Sequence, residues 1–256
     1  MHRILFSIVT FFLISVMAEA QKTDLFDKLL HTSSKDTLPY RFLKPVNPGA
    51  MDRFPLIIFL HGAGERGNDN EAQIKHIKDL VLDPIHRGKY PCYVLAPQCP
   101  KGGWWANQEK DGSIKKDPTK PTQLLIELIE KIIKDFPIDE TRIYITGVSM
   151  GGFGTWELMA RFPNKFAAAV PVCGGGDEKT ASQIKHIPLW AFHGAKDEVV
   201  APRQSRSMIQ AIQKAGGIPG YTEYPDIEHA SWVQAYQEPH LLPWLFRQKS
   251  DARAAK

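Results

Sequence analysis

From residue 54 onward, short unbroken apolar runs alternate with stretches whose apolar positions recur every three or four residues. The first kind reads as strands buried on both faces, the second as helices with one apolar stripe. Phe54-Pro55-Leu56-Ile57-Ile58-Phe59-Leu60 is a strand of the buried type. Further strands are expected near 38–43, 91–96, 142–146, 166–172, 188–192 and 221–225, and Leu25 to His31 is a candidate for antiparallel pairing at one edge. Helices are expected near 70–82, 121–135, 150–162, 203–216 and 231–248. The helix over 121–135 is the clearest: Leu125, Leu128, Ile129, Ile132 and Phe136 keep helical spacing, Pro121 suits the first turn and Pro137 stops it. Strands that alternate with helices predict an α/β fold, a mostly parallel sheet covered on both faces.

The connection from Gln98 to Lys120 breaks this rhythm. It carries Gly102, Gly103, Trp104, Trp105, Gly112 and Pro118, and loops of such length without structure of their own are functional or disordered. In a parallel α/β sheet it would lie over the carboxyl edge, as one wall of a substrate cleft; a disordered surface loop is the alternative.

Residues 1–20 read as a secretory leader: His2 and Arg3, an apolar run from Ile4 to Met17, then Ala18-Glu19-Ala20 as a small-x-small cleavage site. The run falls short of the roughly 20 residues that span a bilayer. An uncleaved anchor is the competing interpretation. Removing 1–20 leaves 21–256 as a single catalytic domain, secreted or periplasmic, with no stable membrane insertion. The charge of +4 is mild and the lysines are scattered among acids, which points to solvated faces and away from a nucleic-acid groove. Oligomeric state is not legible.

Of three cysteines at least one is unpaired. Cys92 and Cys99 share what reads as one strand and stand too far apart to bridge. Cys99 and Cys173 both fall at predicted strand ends, where they either pair or remain buried thiols.

The candidate chemistry begins at Gly147-Val148-Ser149-Met150-Gly151, between the strand-like Arg142–Thr146 and a helical segment. A one-serine turn from strand to helix strains the serine and exposes its hydroxyl, and side chains at the two glycines would strike neighbouring elements. Asp197 and His229 each follow a later strand, giving the order serine, acid, histidine. Serine needs a base within hydrogen-bond reach and a third group to orient it. His229 is preferred because it sits between the last strand and the final helix; His193 and His61 end strands and shape turns, and His240 is structural. Asp197 is preferred over Glu198, Asp226 and Glu228, the last two of which share a short loop with His229. The backbone N–H groups of Met150 and Ala63 are candidate oxyanion donors, with Gly64 the nearest competitor to Ala63. Trp104, Trp105 and Trp232 either stack on substrate or pack their loops. Glu65 and Arg66 form an ion pair, near the cleft mouth or merely at the surface. No His-Glu-x-x-His, paired Cys-x-x-Cys or Walker-type loop occurs, so neither a metal nor an organic cofactor is expected.

The stretches Leu60–Gly67, Ala96–Pro100, Thr146–Gly152, Val172–Gly176, His193–Asp197 and His229–Trp232 resemble the compact secreted esterases and predicted peptidases of the α/β-hydrolase superfamily, relatives of polyhydroxybutyrate depolymerases, feruloyl esterases and prolyl oligopeptidase catalytic domains. The resemblance covers roughly 37–246 and is specific for fold and triad, not substrate. It implies an α/β-hydrolase fold without a separate lid domain and a serine hydrolase acting on carboxylic esters, such as acylated polysaccharides or aryl esters. A serine peptidase of the prolyl-oligopeptidase-like branch is the alternative, although the chain has no room for the propeller that restricts those enzymes to peptides. A non-catalytic binding protein is disfavoured, since every triad position is filled.

Overall fold

The computed structural model describes residues 25–34, 36–49 and 51–250; the expected leader lies outside them. Eight strands form one sheet: β1 (Phe26–Ser33), β2 (Asp36–Leu43), β3 (Phe54–Leu60), β4 (Tyr93–Pro97), β5 (Ile138–Val148), β6 (Ala168–Val172), β7 (Trp190–Gly194) and β8 (Gly220–Tyr224). The helices are α1 (Lys78–Leu82), α2 (Pro84–Lys89), α3 (Lys120–Asp135), α4 (Met150–Arg161), α5 (Ala181–Ile184), α6 (Arg203–Lys214), α7 (Trp232–Gln237) and α8 (Leu241–Leu245). The strand order is β1-β2-β4-β3-β5-β6-β7-β8. β1 and β2 pair antiparallel, as do β2 and β4, and the other pairs are parallel.

Because successive side chains of a strand point to opposite faces, each buried strand feeds two cores. Leu56, Ile58 and Leu60 of β3 join Ile143 and Ile145 of β5 under α3, α4 and α6. Ile57 and Phe59 turn the other way, with Tyr144 and Val148, onto Ile74, Leu80, Tyr236 and Leu241. This two-sided burial is why these strands are unbroken apolar runs. The chain runs outward from β3 to β4 on one side and from β5 to β8 on the other, so the crevice between the carboxyl ends of β3 and β5 is a topological switch point. Parallel sheets bind ligands at such crevices.

α3 starts where expected because the Thr119 hydroxyl accepts from the Thr122 N–H and Pro121 occupies its first turn. Two other expected helices are broken. In place of one helix over 70–82 there is a 3₁₀ turn, Ala72–Ile74, then α1, then the unforeseen α2. Asp69 caps the turn by accepting from Glu71 and Ala72, and Asp83 caps α2 by accepting from Ile85 and His86. Ile74, Ile77, Leu80 and Val81 still pack on the sheet, so their spacing imitates one long helix. The expected helix over 231–248 divides into α7 and α8 because Pro239 drives Glu238 into extended backbone (ψ 114°). β5 runs longer than the expected 142–146: Asp139 accepts from the backbone and hydroxyl of Thr141 and from Arg142, which keeps a polar stretch in line with the strand.

Candidate active site

At the carboxyl end of β5 the chain turns into α4 through Ser149, whose φ of 54° and ψ of −116° lie in a sparsely populated region. Such strain costs about 1–3 kcal/mol and persists only where the surroundings enforce it. Here the enforcement is backbone packing. A Cβ on Gly147 would stand 2.4 Å from the Gly151 carbonyl oxygen, and one on Gly151 would stand 1.9 Å from that of Leu60. The Ser149 N–H donates to the Val172 carbonyl, 3.0 Å away, fixing the turn against β6.

His229 follows β8 and reaches back to that serine. Its Nε2 is 2.8 Å from Ser149 Oγ, and its Nδ1 is 2.7 Å from Asp197 Oδ2. An ionised carboxylate only accepts, so Nδ1 carries the proton and Nε2 is left to accept from the serine hydroxyl. Asp197 is buried, and its Oδ1 accepts from Val199 and Val200 at 2.9 and 2.8 Å. His193 Nε2 lies 2.9 Å from the Val200 carbonyl and 3.3 Å from Asp197 Oδ2, so it braces the turn that presents the acid. The rival acids point elsewhere: Asp226 pairs with Lys196 at 2.7 Å, and Glu198 and Glu228 are exposed. Gly194 lets the His229 loop close on β7, since a Cβ there would lie 2.1 Å from the Glu228 carbonyl oxygen.

The loop after β3 meets the serine from the other side of the switch point. A Cβ on Gly62 would fall 3.7 Å from that of Ser149. Ala63 opens a 3₁₀ turn, Ala63–Glu65, and Met150 opens α4. First-turn amides have no carbonyl of their own helix behind them, which leaves both N–H groups available to an oxyanion. Beneath this loop, His61 Nε2 accepts from the Cys99 N–H at 2.9 Å, so its Nδ1 must donate to the Gly62 carbonyl, 2.6 Å away.

Burial pushes the His61 imidazole down from 6.5 to about 4. The unfolded chain therefore takes up a proton that the folded chain refuses. Stability contributed by the neutral ring is present above about 6.5 and is lost as pH falls toward about 4, by roughly 3 kcal/mol in all. At about pH 5.5, where an exposed histidine is mostly charged, NMR should show His61 as the neutral Nδ1–H tautomer; a protonated ring would contradict this arrangement.

The three candidate tryptophans occupy different surroundings. Trp105 is fully buried and its indole N–H donates to the His61 carbonyl, so it packs the loop onto α4 and presents no face to substrate. Trp104 is 51% exposed, with the Arg66 guanidinium 5.2 Å above its ring. Trp232 stands edge-on to His229, ring centroids 5.4 Å apart. The 98–119 connection is anchored: the Glu157 carboxylate accepts from the Asn107 N–H, and Arg161 donates to the Lys115 and Lys116 carbonyls. The expected Glu65–Arg66 pair is replaced. Arg66 donates to the Ala63 and Gly103 carbonyls, while Glu65 bonds His76 Nε2 at 3.1 Å. Burial alone would raise the Glu65 carboxyl, but the His76 hydrogen bond and charge hold it below its ordinary range. His76, which sequence reasoning passes over, packs against Trp232 with centroids 4.8 Å apart and the rings tilted by 49°; a lone histidine in a polar run carries no signal for this.

Cys99 and Cys173 are both free and buried. Cys99 lies beside Gly103, whereas the Cys173 sulfur lies within 4.8 Å of ligand atoms of Asp197 and His229. Those three are a grouping of potential metal ligands among the described residues, yet carboxylate and imidazole are already bonded to each other, and burial pushes the Cys173 thiol up to about 12.

The phospholipase/carboxylesterase family model matches residues 43–239, taking in the serine turn, Asp197 and His229. The chain belongs to this family. A member of it, the chain is 37% identical to the crystal structure of a thermostable esterase, with a TM-score of 0.82 over 90% of this chain and 64% of that one. It is 28% identical over 222 residues to poly(3-hydroxyalkanoate) depolymerase C of Paucimonas lemoignei, covering 73% of this chain and 50% of that protein. It is 32% identical over 116 residues to a bifunctional acetylxylan esterase/xylanase of Neocallimastix patriciarum, covering 43% of this chain and 17% of that one. The chain thus spans half or less of these two curated relatives. The fold is that of the α/β-hydrolases, an eight-stranded, mostly parallel sheet with helices on both faces.

Proposed function

We propose that this family member hydrolyses carboxylic esters through an acyl-enzyme on Ser149. The observation that carries this is the 2.8 Å contact of Ser149 Oγ with a His229 ring whose opposite nitrogen is held 2.7 Å from Asp197. His229 Nε2 takes the hydroxyl proton as Oγ attacks the ester carbonyl. The developing oxyanion is met by the N–H groups of Met150 and Ala63, each such donor being worth about 3–4 kcal/mol in the transition state. Collapse expels the alcohol, which receives the proton from His229. Water then enters, gives its proton to Nε2 and releases the acid, restoring Ser149.

Acylated polysaccharides and aryl esters are the proposed substrates, cleaved without metal or organic cofactor by a single domain over 21–256. Export is proposed from the leader-like residues 1–20, and no helix among the described residues is long and apolar enough to cross a membrane. Peptides are less favoured, since two of the relatives described above are named as esterases. The deciding experiment sets p-nitrophenyl acetate and feruloyl esters against short peptides, with a fluorophosphonate label mapped by mass spectrometry. Ester turnover with the label on Ser149 is expected. Peptide turnover alone, or a label on another serine, would overturn the assignment.

A further inference from the structure

Beyond His229 a groove opens between the segment that carries the first short helices and the α7–α8 corner. It encloses about 400 Å³ and is lined in part by Lys75, His76, Asp79, Trp232, Gln237 and Glu238. We propose that this groove is a binding subsite for the alcohol half of the ester, and that it takes a neutral sugar ring. The inference rests on the ester-hydrolase mechanism above for its direction: His229 hands a proton to the leaving oxygen, so the alcohol lies on the His229 side. Trp232 is both the ring edge-on to His229 and part of the groove wall, which joins the two spaces through one side chain.

The chemistry of the walls selects the ligand. A sugar ring has an apolar C–H face and a rim of hydroxyls, and indole suits the first while planar polar groups suit the second. Trp232, steadied by His76 tilted against it at 4.8 Å and by the Glu65–His76 bond, supplies the plane. Asp79, Gln237 and Glu238 supply acceptors and an amide at the rim. The acids of the lining, Asp79, Asp83 and Glu238, outnumber its lysine, Lys75, and disfavour an anionic alcohol, while Leu80, Val233 and Leu242 add apolar surface that suits the C–H face. His76 is thereby a positioning residue that holds the platform without touching the reacting atoms.

The test uses the full chain carrying Ser149→Ala, so that binding is read without turnover. Saturation-transfer NMR with xylotriose and cellotriose should show transfer to ring C–H protons. Asp79→Ala and Gln237→Ala, both at exposed positions where folding is not at risk, should each weaken binding by about five- to tenfold. In the active chain the same substitutions should lower the ratio of kcat/KM on acetylated xylotriose to that on p-nitrophenyl acetate by a similar factor. No transfer to either trisaccharide, or binding undiminished in both variants, overturns the subsite while leaving ester hydrolysis intact. Sugar binding in a chain that cleaves no ester overturns the hydrolase instead, and leaves the groove assigned.

Discussion

Ser149→Ala is expected to lower kcat for p-nitrophenyl acetate by on the order of a millionfold, close to the loss from removing the triad entirely. The size follows from the geometry. Ser149 alone stands at the strained turn, flanked by the oxyanion loop and hydrogen-bonded to His229, so no second hydroxyl can substitute. Alanine fits the same backbone, and the melting temperature should barely move. Adding His229→Ala to this variant should cost little more, because residues that act as a unit lose their effect together. A single variant retaining a hundredth of the rate would show that the acyl group is carried elsewhere.

Asp197→Asn should cost on the order of ten-thousandfold in kcat, with the fold preserved. Asn can keep Oδ1 on the N–H groups of Val199 and Val200, since that oxygen holds the turn. Its amide then faces His229 and donates where the carboxylate accepted. Nδ1 is forced to accept, the proton moves to Nε2, and that nitrogen points its hydrogen at Ser149 with no lone pair to take one. Kinetics together with nitrogen-15 NMR of the ring would read both parts. Full activity with Asn would mean that another acid orients the histidine.

How much of this is legible in the sequence depends on the range of the contacts involved. The meeting of Ser149, Asp197 and His229 is legible because each lies in the turn or loop beyond the carboxyl end of a strand, β5, β7 and β8, and a parallel sheet gathers such positions at one edge. β3 and α3 are equally plain, since their patterns are set by local burial and capping. The division of 70–82 is not, because the caps at Asp69 and Asp83 are local polar choices hidden beneath apolar spacing that suits a helix. Trp105 reads as a substrate platform only until its indole is seen bonded to the His61 carbonyl, a contact across 44 residues. The exchange of partners by Glu65, from Arg66 to His76, likewise depends on where a distant segment settles. Pro239 is a visible helix breaker, yet that its corner would frame a cavity with Asp79 on the opposite wall follows from tertiary packing alone.

All three sulfhydryls are free, and burial pushes each up to about 12. A thiol that does not ionise is a poor substrate for oxidants and for exchange, and Cys99 and Cys173 are buried from solvent as well. The sheet is therefore assembled wholly by noncovalent forces, and material made under reducing conditions should match that from an oxidising compartment. Dithiothreitol should leave its melting unchanged.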